Sequence, residues 1–408
     1  MLWKHIKTED DNVSIPPPFI EANDEEDSRI LLPVEYFRTF LTADMFDSIV
    51  YQSNLYSVQK DPQRPLQLNR HELEKWLGMC FHFSVSKIPE TKLHWAPETG
   101  NDQIVSIMSR NRWQAIKANL HFVDNSNIDP NDKIFKIRPL VDLLRAKFKE
   151  IPKIENLCVD EQIIPFKGAS SLKQYMPKKP HKWGYKCFIL ADSKGMVYDF
   201  IPYLGKITPV AKENIPDLGP SSNIVLHLAE SIPAFKNHKL YFDNWFTSLP
   251  LISHLASRGI WCTGTVQARR LPCLKFKSDK ELQARGRGSS DVWTTSHNDV
   301  PVRAVKWLDT KSVCLISTCF STQPSGECLR FDRKTKTQIE VTLPNIVNSY
   351  NKNMGGVDLH DQLMSLYRMS FKSRKYYQRL IFHFIDMAVA NSWLLYRRDA
   401  EKLKKEEN

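Results

Sequence analysis

The chain lacks the usual metal-finger and metalloprotease signatures. Its eight cysteines, at 80, 158, 187, 262, 273, 314, 319 and 328, form no C-x-x-C pair, and no H-E-x-x-H or histidine cluster occurs. That argues against structural zinc and zinc hydrolysis. Several cysteines sit in apolar runs such as "NLCVD" and "KCFILA", so buried free thiols in a reducing compartment explain them better than disulfides. "MLWKHIKTEDD" has no apolar leader core. The most hydrophobic helical stretch, "LIFHFIDMAVANSWLL", is broken by His383, Asp386 and Asn391, which excludes a membrane span there. No internal repeat is evident. A cytosolic or nuclear protein with no membrane partner is expected.

Acidic charge is also scarce, except at the start. Residues 1–28 carry eight acids against two lysines, leaving 55 basic and 38 acidic side chains over the other 380 residues. A body that basic favours a polyanionic partner, though a solvated basic surface would read the same way. At 408 residues and 42% hydrophobic content, the chain can bury a large core divided into two or three domains.

The texture changes along the chain. Residues 1–30 are acidic and punctuated by "SIPPPF", the pattern of a disordered tail. Residues 31–153 have helical periodicity. "NRHELEKWLGMCFHF" offers Asn69 as N-cap and Glu72 as its capping-box partner, with Leu73, Trp76, Leu77 and Cys80 on one face. From 154 to 266 the order is three strands, helix, strand, helix, strand. "KWGYKCFILA" and "MVYDFIPYLG" form a hairpin around "DSKG", and Ser248 caps "LPLISHLASR". That order predicts an α/β fold with a ribonuclease-H-like mixed sheet and flanking helices. Residues 267–337 read as an inserted basic, β-rich subdomain, and 338–366 return to the catalytic domain. Residues 367–408 are helical and pair with 31–153 as an all-α DNA-binding and dimerisation domain built from both ends of the chain.

Asp160 and Asp243 each end a short apolar run, "LCVD" and "KLYFD". Asp358 and Asp361 lie three apart at the start of a helix in "GGVDLHDQL". Taken singly, a turn, a cap or an ion pair accounts for each; acids in a first helical turn suit the macrodipole. In a ribonuclease-H-like sheet, however, the first and fourth strands are neighbours, which brings Asp160 and Asp243 together facing a following helix. Converging carboxylates repel unless a cation lies between them. Mg²⁺ suits such oxygen donors, and two ions about 4 Å apart serve phosphodiester displacement.

Four stretches, "VDEQIIPFKG", "QYMPKKPHKWGYKCFILADSKG", "YFDNWFTSLPLISHLASRGIWCTGTV" and "NKNMGGVDLHDQL", resemble the ordered signature blocks of piggyBac transposases and their domesticated relatives. The resemblance spans about residues 31–398. It implies a catalytic core in which Asp160, Asp243 and Asp358 hold two Mg²⁺ (or Mn²⁺) ions and Asp361 is an essential fourth acid. It also implies cut-and-paste chemistry on double-stranded DNA, through hairpin ends and TTAA targets, by a nuclear homodimer acting on no small molecule. The family's Cys/His-rich C-terminal module has no counterpart before "RRDAEKLKKEEN", so no zinc is expected. The alternative is a domesticated, catalytically silent DNA-binding protein; a nuclease acting on RNA or hybrids is a weaker third reading.

DNA contacts are expected from Lys178, Lys179, Lys182 and Lys186 in "MPKKPHKWGYK". Arg368, Lys372, Arg374, Lys375 and Arg379 in "YRMSFKSRKYYQR" are expected to contribute as well. The basic loop carrying Arg269, Arg270, Arg285 and Arg287 is a weaker candidate, expected to be disordered without DNA.

Overall fold

The structure, a computed structural model, describes residues 2–7, 11, 17–21, 29–177, 179–210, 212–213, 215–333, 335–369, 371, 373 and 375–406; side chains are described to residue 404. Strand β1 (Lys4–Ile6) precedes six helices: α1 (Pro33–Phe40), α2 (Ala43–Lys60), α3 (Arg70–Val85), α4 (Asp102–Ile107), α5 (Arg110–Asn119) and α6 (Arg138–Glu150). Then come β2 (Asn156–Pro165), β3 (Gln174–Tyr175), β4 (Trp183–Asp192), β5 (Val197–Pro202), α7 (Pro220–Ala229), β6 (Lys239–Phe242), α8 (Leu249–Ser257) and β7 (Trp261–Thr265). Helix α9 (Asp279–Arg285) leads into β8 (Ser290–His297), β9 (Val300–Leu308), β10 (Ser312–Ser317), β11 (Gly326–Asp332) and β12 (Thr337–Leu343). The chain ends in α10 (Asn345–Asn353), α11 (Gly356–Leu366) and α12 (Tyr376–Glu406).

Local chemistry explains many boundaries. The Asn69 side chain accepts from the Glu72 amide at 2.9 Å and opens α3, as expected. Glu72 does not reach back to complete a capping box. Its carboxylate takes two bonds of 2.6 Å from the Arg112 guanidinium on α5, because a bidentate pair outweighs one amide bond. Ser248 caps α8, with Pro250 in its first turn. The β4–β5 hairpin turns where Asp192 accepts from the amides of Lys194 and Met196 and Gly195 takes φ +91°.

The central strands run in the spatial order β5–β4–β2–β6–β7. β2 is antiparallel to β4 and parallel to β6, and β6 is parallel to β7. This is a mixed α/β sheet with helices packed against it, as expected.

Two expectations fail. Residues 267–337 are not a subdomain set apart: β10 pairs antiparallel with β7, and β9 and β8 extend the same sheet. Among the described residues, only β11 and β12 form a separate two-stranded hairpin. An open sheet edge at β7 leaves unpaired amides and carbonyls, and the next β segment covers them. Nor is the acidic N-terminal segment a free tail where it is described. β1 adds to the outer edge of β8, and Trp3 is buried. Asp11 is buried too, paired with Arg303 and accepting from the Thr322 amide.

Helices from both ends of the chain meet. α1 packs on α12, and the Tyr36 hydroxyl donates to Asp399 at 2.9 Å. They do not enclose a core of their own; one contiguous apolar core runs from Phe40 and Trp76 through Phe148 to Phe200 and Phe384. Among the described residues no helix is long and apolar enough to cross a membrane. No disulfide forms among the eight cysteines, and five of them are buried.

Candidate active site

β2 and β6 run parallel with Val159 opposite Phe242, so the next residue on each strand is an aspartate. Asp160 accepts from the Glu161 amide at 2.7 Å, and Asp243 from the Trp245 amide at 2.8 Å. Those bonds hold each carboxylate in place, Asp160 within β2 and Asp243 just past β6, but do not offset its burial. Burial pushes the Asp160 carboxyl up to about 7, aided by repulsion from Glu161 and Asp243 and opposed by Lys179. Burial also raises Asp243, with Glu161 adding repulsion and Lys186 opposing it. Two desolvated acids acting on each other are short of positive charge.

Alternation along β2 puts Cys158, Asp160 and Gln162 on one face, and α11 lies across that face. At its start Gly356 fits so closely that a Cβ there would stand 1.9 Å from the Asp192 carbonyl oxygen and 2.9 Å from the Cys158 sulfur. One turn on, the Gln162 amide donates to Asp361 at 2.8 Å. Asp358 lies on α11 between these two anchors. Asp361 is raised by burial, and the Gln162 bond and Arg368 oppose the rise.

Asp358 is exposed on the first turn of α11. Among the described residues no three histidine, cysteine, aspartate or glutamate side chains are grouped to hold a metal ion. Asp160 and Asp243 act on each other across β2 and β6, while Asp361 meets β2 through Gln162 and Asp358 is exposed on the same helix. An open set of carboxylates suits a hard divalent ion, which keeps waters and takes phosphate oxygens as its remaining donors.

The expected cationic residues divide. Lys179 and Lys186 both approach Glu161, each at 3.6 Å, and the Lys186 ammonium lies 4.6 Å from the centre of the Trp245 ring. They border the acid pair. Lys182 is exposed beside them. Arg368 stands 4.0 Å from Asp361. Lys375 donates to the Ala118 carbonyl at 2.8 Å, and Arg379 to the Pro165 carbonyl at 3.1 Å, so both fasten α12 and the segment before it to the body. Lys178, Lys372 and Arg374 lie outside the described residues. In the basic loop, Arg270 donates to the carbonyls of Asn244, Trp245 and Thr247, and Arg287 pairs with Asp309. Where described, that loop is ordered by its own arginines.

Sequence reasoning missed three residues here. Glu161 acts on both aspartates and gathers the two lysines. Gln162, fully buried, joins Asp361 to His383, whose Nε2 lies 2.8 Å from the Gln162 carbonyl oxygen. Burial holds His383 well below the ordinary histidine range, so the ring is neutral and donates through Nε2. The period-two pattern could have flagged Gln162 as sharing the face of Asp160; nothing local pointed to His383.

The family model described as Transposase IS4 matches residues 32–393. PiggyBac transposable element-derived protein 3 of Homo sapiens is 31% identical over 91% of this chain and 62% of its own length. PiggyBac transposable element-derived protein 2 of Homo sapiens is 30% identical with the same coverage. The chain thus spans about three fifths of the length of these relatives. Its fold is similar to that of a piggyBac transposase solved by cryo-EM as a synaptic complex with hairpin DNA, with a TM-score of 0.74. That match has 24% identity and covers 95% of this chain and 79% of that one. The chain belongs to the piggyBac family of transposases.

Proposed function

We propose that this chain is the catalytic core of a piggyBac-type DNA transposase, built on a ribonuclease-H-like sheet. The observation that carries the reading is the placement of Asp160 and Asp243 at adjacent positions of two parallel strands, both short of positive charge. Asp160, Asp243 and Asp358 would hold two divalent ions, Mg²⁺ or Mn²⁺, with Asp361 as the supporting fourth acid. Ions bound there would stabilise the attacking and leaving oxygens of an in-line displacement at phosphorus.

The chain's own residues do the rest. Asp160 gives up its proton to become a donor. Lys179 and Lys186 attract the phosphate backbone to the rim of the site, with the exposed Lys182 as a further cation. The Gln162 amide keeps one Asp361 oxygen engaged, which fixes the direction of the other. The substrates would be transposon ends flanked by TTAA, cut and closed through hairpins and joined to TTAA targets by a homodimer in the nucleus.

The test is nicking of a TTAA-flanked duplex in Mg²⁺ by the protein and by Asp160→Ala and Asp243→Ala. Loss of nicking in both variants supports the reading; equal activity in all three preparations ends it. A second reading, a DNA-binding protein without catalysis, is favoured by the exposure of Asp358 and by the transposable element-derived relatives. DNA binding without nicking by the unaltered protein would establish it.

A further inference from the structure

Beside the acids lies a hollow that the catalytic reading does not use. A cavity of about 960 Å³ opens between the C-terminal turn of α3, helix α5 and the segment leading into α12. Small-molecule sites typically measure ~300–1,000 Å³. Five cations line it, Lys87, Lys92, Lys117, Arg368 and Lys375, against one acid, Glu90. Glu90 is itself 2.9 Å from Lys92. A concave surface with that excess concentrates anions.

One wall is aromatic. Phe83, Trp113 and Phe371 line the cavity, with Trp113 5.5 Å from Phe83 and 5.4 Å from Phe371 between ring centres. The Lys117 ammonium lies over two of these rings, 5.4 Å from Trp113 and 5.0 Å from Phe371, where an arriving anion would meet little competing water. Three lining residues have a buried nitrogen without a hydrogen-bond partner among the described residues: His94 at Nδ1, Trp113 at Nε1 and Arg368 at Nε. Such groups are costly to leave unmatched.

We infer that this cavity is a nucleotide-binding site, with the phosphate on Lys87, Lys117 and Arg368 and the base against the part-exposed Phe371. Phosphate takes the cations, and a planar base takes an aromatic wall that inorganic anions would leave unused. Arg368 also stands 4.0 Å from Asp361, so the bound nucleotide adjoins the acids. It is either a free nucleotide or an unpaired nucleotide of a DNA strand, and for the second source the inference rests on the nucleic-acid reading above.

The test is calorimetric titration of the metal-free protein at low salt with AMP, adenosine, inorganic phosphate and a 5′-phosphorylated single-stranded tetranucleotide. Saturable binding of AMP or the tetranucleotide, at least tenfold tighter than adenosine and phosphate, is expected. Lys117→Met and Lys87→Glu should each weaken it at least tenfold; Lys87 is exposed, so its variant reports even if the other fails to fold. AMP binding identifies a free nucleotide as sufficient, and binding of the tetranucleotide alone identifies the strand-borne source. Absence of saturable binding, or binding unchanged in Lys87→Glu, overturns the inference. Because no metal is present, a protein that binds AMP without nicking DNA loses only the catalytic proposal, and one that nicks without binding loses only this one.

Discussion

Asp160 and Asp243 occupy matching positions on neighbouring parallel strands, each one residue past the paired Val159 and Phe242. The sheet therefore sets their separation, and no flexible loop intervenes between them and the paired residues. Their mutual repulsion and burial represent a cost to the folded protein that a bound cation would remove.

Asp160→Asn should stabilise the metal-free protein at pH 8, where the native carboxylate is charged and desolvated. An increase of about 1–3 kcal/mol is expected from a shift of this direction and size, read as a higher Tm. The same substitution should abolish stabilisation by added Mg²⁺. A lower Tm in the absence of metal would show that the native carboxylate is already compensated.

Proton linkage sets the pH response. The folded Asp160 holds its proton up to about 7, whereas the unfolded carboxyl releases it near 3.9. Between those values the folded state binds more protons, so this group's contribution to stability falls as pH rises from about 4 to 7. Metal affinity should run the other way, increasing with pH through about 7. Mg²⁺ titrations at pH 6 and 8 check it; equal affinity at both would contradict the assignment.

Gln162→Leu removes both bonds that tie Asp361 to His383. It leaves a buried imidazole N–H without a partner and Asp361 with Arg368 at 4.0 Å, at a cost of about 2–4 kcal/mol. Gln162→Glu should destabilise more at neutral pH, because it faces Asp361 with a like charge. Denaturant unfolding curves measure both.

At Gly356 a methyl group would collide with the Asp192 carbonyl and the Cys158 sulfur. Gly356→Ala should push the start of α11 away from β2 and cost about 1–3 kcal/mol or more. The displaced turn carries Asp358, so any Mg²⁺-dependent nicking should fall by more than the loss of folded protein explains. Gly355→Ala, where no atom lies within 4 Å, serves as the control.

Lys186→Ala removes a cation that faces Glu161 and the Trp245 ring. If Lys186 contacts phosphate, weaker DNA binding at every sequence and a salt slope shallower by about 1 are expected. Lys375→Ala should chiefly lower stability, because its ammonium is committed to the Ala118 carbonyl.

Much of this was legible locally. Short-range rules placed the Asn69 and Ser248 caps, the turn at Gly195 and the apolar runs before Asp160 and Asp243, because each depends on neighbours a few residues away, although β2 continues past Asp160 to Pro165. The strand order followed from the alternation of elements, which brings the first and fourth strands together. The relation of Asp358 and Asp361 to that pair came only through resemblance, since a helix start with two acids is ordinary in isolation.

Other features depended on partners far along the chain. Which segment covers the open edge of β7, where Trp3 and Asp11 come to rest, and how Gln162 meets His383 from 221 positions away are outcomes of packing. So is the fate of the basic residues, since charge alone does not distinguish Lys186 at the rim of the acids from Arg379 on the Pro165 carbonyl. Composition and spacing determined the elements and the acids they carry. Only the tertiary structure decided which groups lost their water and which found a counter-charge, because desolvation and pairing belong to the assembled core.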